Sequence, residues 1–261
     1  MKNLRKYGIA PYNIAVVHGG PGAPGEVAPV VRELALNWGV LEPLQTMYTL
    51  EKQVEELSVV LEKNATLPAT LIGYSWGAWL SFIVAARYPS MIKKLILISS
   101  GPFEEKYARD IMKTRLARLG DEVKKEALKL IESFNTCGSR DMNKKMARFG
   151  QLMASADAYD PIPSGDEVLD AQFAVFRNVW REAEGLRRDG KILQLAAEIQ
   201  CPVLAVHGDH DPHPPEGIEK PLSTMLKDFR FILLKNCGHT PWIERQARDE
   251  FFCVLKEELK R

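Results

Sequence analysis

The 261-residue chain has almost no excess charge: 35 Lys and Arg against 34 Asp and Glu leave +1. So balanced a surface sets up no whole-chain field, and neither nucleic acid nor an anionic membrane is expected as a partner. Long apolar runs are missing too, and no stretch approaches the ~20 residues that cross a bilayer. The first apolar run, Ile14–Val17, follows the basic Lys2, Arg5 and Lys6. It is too short for a signal-peptide core and ends in a glycine turn. Cysteine is scarce: Cys137, Cys201, Cys237 and Cys253 include no C-x-x-C pair. That argues against a disulfide scaffold and for free thiols in a reducing compartment, so a cytoplasmic location is expected. Histidine is limited to His18, His207, His210, His213 and His239, and imidazole chemistry is confined to those positions. The rest is ordinary. With 46% hydrophobic and 26% charged residues, disorder is excluded and the chain can build a sizeable core.

Short Ile/Val/Leu runs recur at Ile14–Val17, Val40–Leu44, Thr70–Gly73, Leu95–Ser99, Val203–Val206 and Phe231–Leu234. They lack polar alternation, as strands buried on both faces of a parallel sheet do. Between them, apolar residues fall at helical spacing over Glu26–Trp38, Leu50–Lys63, Ala78–Tyr88 and Ile243–Lys260. Alternating strands and helices predict a doubly wound α/β sheet. Residues 103–194 break the pattern. They contain no convincing strand, and the spacing predicts charged helices over Lys106–Leu119, Asp121–Phe134, Asp141–Ala156 and Asp166–Leu186, with loops at Thr136–Ser139 and Asp160–Gly165. The expected organisation is a core of residues 1–102 and 195–261 with a helical insertion at 103–194.

Four glycine-containing motifs stand at predicted strand ends. Gly73-Tyr74-Ser75-Trp76-Gly77 follows a strand and opens a helix. A serine on such a turn projects its hydroxyl above the sheet, and the flanking glycines relieve collisions in the strained backbone. His18-Gly19-Gly20-Pro21-Gly22 frees backbone N–H groups. The Gly20 amide and the amide after the serine, at Trp76, are the candidates for a two-donor oxyanion hole. His207-Gly208-Asp209-His210-Asp211 and Cys237-Gly238-His239 end the next two strands. A serine hydroxyl needs a base, and the base needs a carboxylate to fix its tautomer. Asp211 and His239 lie at the same sheet edge as Ser75, in the chain order serine, acid, histidine.

Together HGGPG, GYSWG, HGDHD and CGHTPW resemble the α/β-hydrolase superfamily, and HGGPG with the Ser-Trp pair resembles its proline iminopeptidase-like branch. The resemblance covers residues 12–101 and 200–258. It implies an α/β-hydrolase fold with Ser75 as nucleophile, His239 as base and Asp211 as acid, Gly20 and Trp76 as oxyanion donors, and residues 103–194 as a cap. No cofactor or metal is implied, and the partner is a small acyl substrate. Two features depart from the family. Only 13 residues precede Ile14, where members usually carry two or more strands. The sheet is therefore expected to be shortened at that edge, to about six strands, with a homodimer as one way to cover it. The D-x-R-G segment usual after the next strand is replaced by Glu42-Pro43-Leu44-Gln45.

The same residues admit other readings. Asp209 competes with Asp211 as the acid, though Asp211 has the G-x-x-D spacing from Gly208. His207, His210 and His213, interleaved with Asp209 and Asp211, offer donors for a metal-dependent hydrolase. His18 fits a loop brace better than a base, and Cys237 a small buried residue. Trp79 fits the core, whereas Trp76 also suits a pocket wall. Trp180, Glu182 and Glu184 are the cap residues placed to bind substrate, the glutamates reading a free amine if the chain is an aminopeptidase. A small carboxylic ester is the first expectation for the substrate and an N-terminal peptide bond the second. A non-catalytic ligand-binding protein of the same fold is the reading from a different class.

Overall fold

The computed structural model describes residues 3–135, 141–163 and 171–261. Seven strands form one sheet: β1 (Leu4–Tyr7), β2 (Tyr12–Val17), β3 (Gly39–Pro43), β4 (Ala69–Tyr74), β5 (Ile92–Ile98), β6 (Val203–Gly208) and β7 (Phe229–Leu234). Their order is β1-β3-β2-β4-β5-β6-β7. All neighbours run parallel except β1, which is antiparallel to β3. Successive side chains of a strand face opposite ways, and here both faces are covered. Ala15 and Val17 of β2 join one apolar cluster, Ile14 and Val16 the other.

The helices are α1 (Ala28–Leu34), α2 (Leu50–Asn64), α3 (Trp76–Arg87), α4 (Ile111–Arg118), α5 (Asp121–Phe134), α6 (Met142–Asp157), α7 (Phe173–Arg188), α8 (Lys191–Gln194), α9 (Glu216–Met225) and α10 (Arg248–Lys260). Buried residues of α1 and α10 cover one sheet face, and those of α2, α3 and α9 the other. Helices α4 to α8 lie between β5 and β6; α5 and α6 have a small cluster of their own, Ala127, Leu152 and Met153, while α7 and α8 join the core cluster through Val175, Val179, Ala183 and Ile192. No helix of the described residues is long and apolar enough to cross a membrane.

The sheet has seven strands where about six were expected, because β1 escapes hydrophobic patterning. Leu-Arg-Lys-Tyr is an edge strand with no fully buried residue. It pairs Leu4 with Pro43 through Tyr7 with Val40, so the edge thought open is occupied by the chain itself. Glu42 explains why a charged strand docks there. Its side chain is fully buried, the Tyr7 hydroxyl donates to Oε2 at 3.0 Å, and Arg5 reaches the same oxygen at 3.5 Å. Burial pushes the Glu42 carboxyl above its ordinary range, and the Tyr7 and Arg5 contacts oppose that rise.

Other departures are local. The first helix is shorter than its apolar spacing suggests. The last begins at Arg248, because Pro241–Ile243 forms a 3-10 turn before it. Helix α9 carries no clear helical signal in the sequence, since Pro214 and Pro215 precede it and Pro221 lies inside it. Thr136–Ser139, Cys137, Ser164–Gly165 and the predicted helical residues Asp166–Asp170 lie outside the described residues.

Candidate active site

Strand β4 delivers Ser75 into a tight turn at φ 52° and ψ −114°, and α3 begins at the next residue. Non-glycine residues seldom adopt positive φ, and the surrounding structure holds this one in place. The Ser75 amide donates to the Ile98 carbonyl at 2.9 Å. The flanking glycines are sterically required. A Cβ on Gly73 would lie 2.2 Å from the Gly77 carbonyl oxygen, and one on Gly77 would lie 2.4 Å from the Val17 and His18 carbonyl oxygens. The helix therefore sits directly against the end of β2, where the His18–Gly22 turn begins. His18 is buried and braces that turn: Nδ1 donates to the Gly19 carbonyl at 2.7 Å, and Nε2 accepts the Gln45 amide at 3.2 Å. Burial lowers its pKa to about 4 against the Gly19 bond, so the brace is neutral near pH 7.

Asp211 follows β6, and His239 follows β7. Asp211 Oδ2 lies 2.7 Å from His239 Nδ1, and His239 Nε2 lies 3.0 Å from Ser75 Oγ. The other carboxylate oxygen, Oδ1, accepts two bonds from His213, the amide at 2.9 Å and Nδ1 at 2.7 Å. His207 approaches Oδ2 at 3.5 Å, while its Nε2 donates to the His213 carbonyl at 2.8 Å. Three imidazoles thus surround one buried carboxylate. Burial alone would raise the Asp211 pKa, but His239, His207 and His213 outweigh it and hold the group well below the carboxylate range. For His239 the balance is opposite in sign: burial lowers its pKa, the Asp211 charge and hydrogen bond raise it, and the net shift is upward. The His239 ring packs beside Tyr74 at 5.2 Å and beside His213 at 4.7 Å, and its backbone amide donates to the Asp157 carbonyl at 2.9 Å.

A family profile described as alpha/beta hydrolase fold matches residues 42–246. The chain belongs to the α/β-hydrolase family. It is similar to the proline iminopeptidase of Heyndrickxia coagulans, 25% identical over 267 residues that span 94% of this chain and 90% of that one. It is also similar to the pimeloyl-[acyl-carrier protein] methyl ester esterase of Chromobacterium violaceum, 25% identical over 203 residues spanning 77% and 74% of the two chains. Among solved structures, that of VinJ superimposes with a TM-score of 0.69 at 19% identity, covering 98% of this chain and 94% of that one. The resemblance to the proline iminopeptidase-like branch is thereby borne out, and the hydrolase assignment no longer rests on motifs alone.

In this hydrolase the competing readings separate by position. Asp209 Oδ1 accepts the Cys237 amide at 3.3 Å and Oδ2 lies 3.7 Å from Lys235, so Asp209 braces the turn after β7. Cys237 is buried, and burial pushes its thiol far above the ordinary range, which suits packing and not attack. The rings of His207, His210 and His213 do not converge. His210 turns away onto Tyr159, 5.2 Å between rings, and His207 is spent on the His213 carbonyl. The donors that do cluster are those of Asp211, His213 and His239. The two histidine Nδ1 atoms of that group already donate to Asp211 at 2.7 Å.

A cavity of about 370 Å³ opens above Ser75, bordered by Gly20, Ser75, Trp76, His213 and His239 on the core side. Helices α4, α6 and α7 supply Met112, Phe149, Phe176 and Trp180 among its apolar wall, with Arg115, Asp157, Glu184 and Arg187 as charged members. Trp76 is 2% exposed and Nε1 donates to Gln53 at 3.2 Å, so it belongs to the core while edging the cavity. Trp180 stacks on Trp79 at 6.1 Å and on Phe176 at 6.2 Å. Glu182 is not at the site. Its Oε2 accepts the Leu50 amide at 2.8 Å, because the first turn of α2 has unpaired N–H groups that attract a carboxylate. Glu184, two residues on, does line the cavity, as helical rotation places the two on different faces.

Sequence reasoning missed Arg115 and Asp157. Arg115 clasps Asp157 by Nε at 2.8 Å and Nη2 at 2.6 Å, and Asp157 in turn holds the backbone of His239. Isolated charges in predicted helices read as solvated faces, and no local signal marks this pair.

Proposed function

We propose that the protein is a serine hydrolase that cleaves a small carboxylic acyl compound through an acyl-serine intermediate. The observation that carries this reading is the continuous relay from Asp211 to His239 (2.7 Å) to Ser75 (3.0 Å) at the floor of the cavity. Ser75 Oγ bonds to the substrate carbonyl carbon as its proton passes to His239 Nε2, and the carbonyl pair moves onto oxygen. The backbone amides of Gly20 and Trp76 are assigned to that oxyanion. The carbon–leaving-group bond then breaks, the leaving atom taking the proton from His239. Water repeats the sequence to release the acid and restore Ser75. Asp211 keeps the His239 Nδ1 proton facing it, which leaves Nε2 free as base. The scheme uses no metal or organic cofactor.

Esters demand least of such a site and are the first substrate class. A second reading, cleavage of an N-terminal peptide bond, is favoured by the iminopeptidase relatives and by the Glu184 carboxylate in the cavity wall. The three described cysteines are free, which suits the reducing, cytoplasmic setting proposed for the protein. Fluorophosphonate labelling of the native chain and of Ser75→Ala, read by peptide mass, tests the nucleophile. A stoichiometric adduct on Ser75 is expected, and a folded chain that takes none would overturn the mechanism. Parallel turnover of p-nitrophenyl acyl esters and of alanine and proline p-nitroanilides separates the two substrate classes.

A further inference from the structure

Asp211 holds two imidazoles against the cavity, and the acyl-transfer scheme uses only one. His213 and His239 each present Nδ1 to a different oxygen of the same carboxylate, both at 2.7 Å. Their rings lie side by side, 4.7 Å between centroids and 33° between planes. In an imidazole Nε2 lies across the ring from Nδ1, so both Nε2 atoms point away from Asp211. That of His239 ends on Ser75 Oγ at 3.0 Å. That of His213, whose residue also lines the cavity, meets no hydrogen-bond partner among the described residues.

The protonation state of this second ring follows from its surroundings. A carboxylate only accepts, so the His213 proton sits on Nδ1. Burial lowers the His213 pKa to about 4 despite Asp211, so the ring is neutral near pH 7 and Nε2 carries a lone pair. The molecule therefore keeps an acceptor with nothing to accept on the ring beside the one that hands a proton to the leaving group. An ester's leaving oxygen bears no hydrogen of its own. The leaving nitrogen of a secondary amide bears one, and that hydrogen needs an acceptor while the nitrogen pair turns towards the proton on His239.

We propose that His213 is a specificity-determining residue whose Nε2 accepts a hydrogen bond from the N–H of the leaving group, extending the hydrolase from esters to secondary amides. The proposal rests on the serine-hydrolase reading above. A site that hydrogen-bonds a substrate N–H discriminates against analogues lacking it. A His213 that serves only to hold Asp211 would affect esters and amides equally.

The test is His213→Asn, assayed on the p-nitrophenyl ester and the p-nitroanilide of one acyl group, chosen as the best-cleaved ester. Asparagine Nδ2 stands where the histidine Nδ1 does and keeps the donor to Asp211, while the acceptor at Nε2 is lost. The anilide kcat/KM is expected to fall about tenfold further than the ester value, the effect of one hydrogen bond. Equal falls, no fall, or a native enzyme that cuts the ester but no anilide would each overturn the proposal. Should the variant fail to fold, the native enzyme is given the N-methyl anilide. It is expected to be cut about tenfold more slowly than the parent after correction for their alkaline hydrolysis rates, and equal corrected rates overturn the proposal. Ser75→Ala runs alongside: ester turnover that survives it sinks the serine reading itself, whatever His213 does.

Discussion

The sheet core of this hydrolase and the helices inserted between β5 and β6, the proposed cap, differ in what holds them together. Strands β2 to β6 bury both faces under apolar side chains, and α3 is buried along almost its whole length. Ser75, Asp211 and His239 all sit on turns at one edge of that sheet. Helices α7 and α8 pack Val175, Val179, Ala183 and Ile192 into the core's own apolar cluster, whereas α4 to α6 bury little, with Ala127, Leu152 and Met153 at their centre. Polar bonds tie the inserted residues to one another: Arg115 clasps Asp157, Arg187 reaches Glu105 at 2.9 Å, and Arg118 donates to the Ala156 carbonyl at 3.1 Å. Glu244 accepts the Tyr159, Asp160 and Gly238 amides at 2.9, 2.8 and 3.0 Å, stitching the end of α6 to the His239 loop. An apolar core thus holds the turns of Ser75, Asp211 and His239, whereas α4 to α6 depend more on charge pairs. The proposed chemistry belongs to the first region, and Asp157 and Glu244 link α6 to the His239 loop.

The largest effect expected in that comparison is on the core. Ser75→Ala should cost roughly 10⁴–10⁶-fold in kcat on an activated ester. Thermal unfolding should show the fold intact, since alanine differs from serine only by the hydroxyl that meets His239. The next is on the cap. Arg115→Ala strands the Asp157 carboxylate, whose side chain is 6% exposed, and breaking a buried pair in this way costs about 3–5 kcal/mol. Calorimetry decides whether cap and core are one unit. A single lowered transition means they unfold together, and a separate early transition means the cap melts by itself.

Acid should reveal the buried histidines. His18 and His213 have folded pKa values of about 4 against 6.5 when free. Below pH 6.5 the unfolded chain binds protons that the folded chain refuses, so stability falls from there down to about pH 4. The loss approaches ~3 kcal/mol per ring, at 1.36 kcal/mol per pH unit. His239 has the opposite sign. Its raised pKa adds stability below pH 6.5 that is lost as pH rises through the folded value. With His239 as the proposed base, activity requires the neutral ring, so the acid limb of kcat/KM should lie above 6.5, and Asp211→Asn should move it down. Denaturant midpoints and a pH–rate profile measure the two effects. An acid limb at or below 6.5 would remove His239 as the base.

Smaller effects sharpen the division within the cap. Trp180→Ala removes one ring of the stack with Trp79 and Phe176 and should raise KM several-fold with little change in kcat. Glu182→Gln should leave the kinetics untouched and lower stability by about 0.5–1 kcal/mol, as loss of a carboxylate at a helix N-terminus does. A changed KM would return Glu182 to the substrate site.

Local pattern carried most of the core. Six of the seven strands announce themselves as short apolar runs, because burial on both faces leaves no room for polar residues. GYSWG, HGGPG, HGDHD and CGH mark the strand-end turns, because tight turns against neighbouring backbone need glycine. The residues at which these turns meet were legible in their chain order. Contacts between distant segments left no such trace. Strand β1 is charged because its partners are a buried glutamate and an exposed edge, and α9 is masked by its own prolines. Arg115 and Asp157 lie 42 residues apart. Which of Glu182 and Glu184 faces the cavity depends on how α7 lies against α2. That His213 shares Asp211 with His239, instead of joining His207 and His210, depends on how one loop folds back on a single carboxylate. Periodicity and turn chemistry are properties of neighbours along the chain, whereas charge pairing, burial and the aim of a side chain belong to neighbours in space.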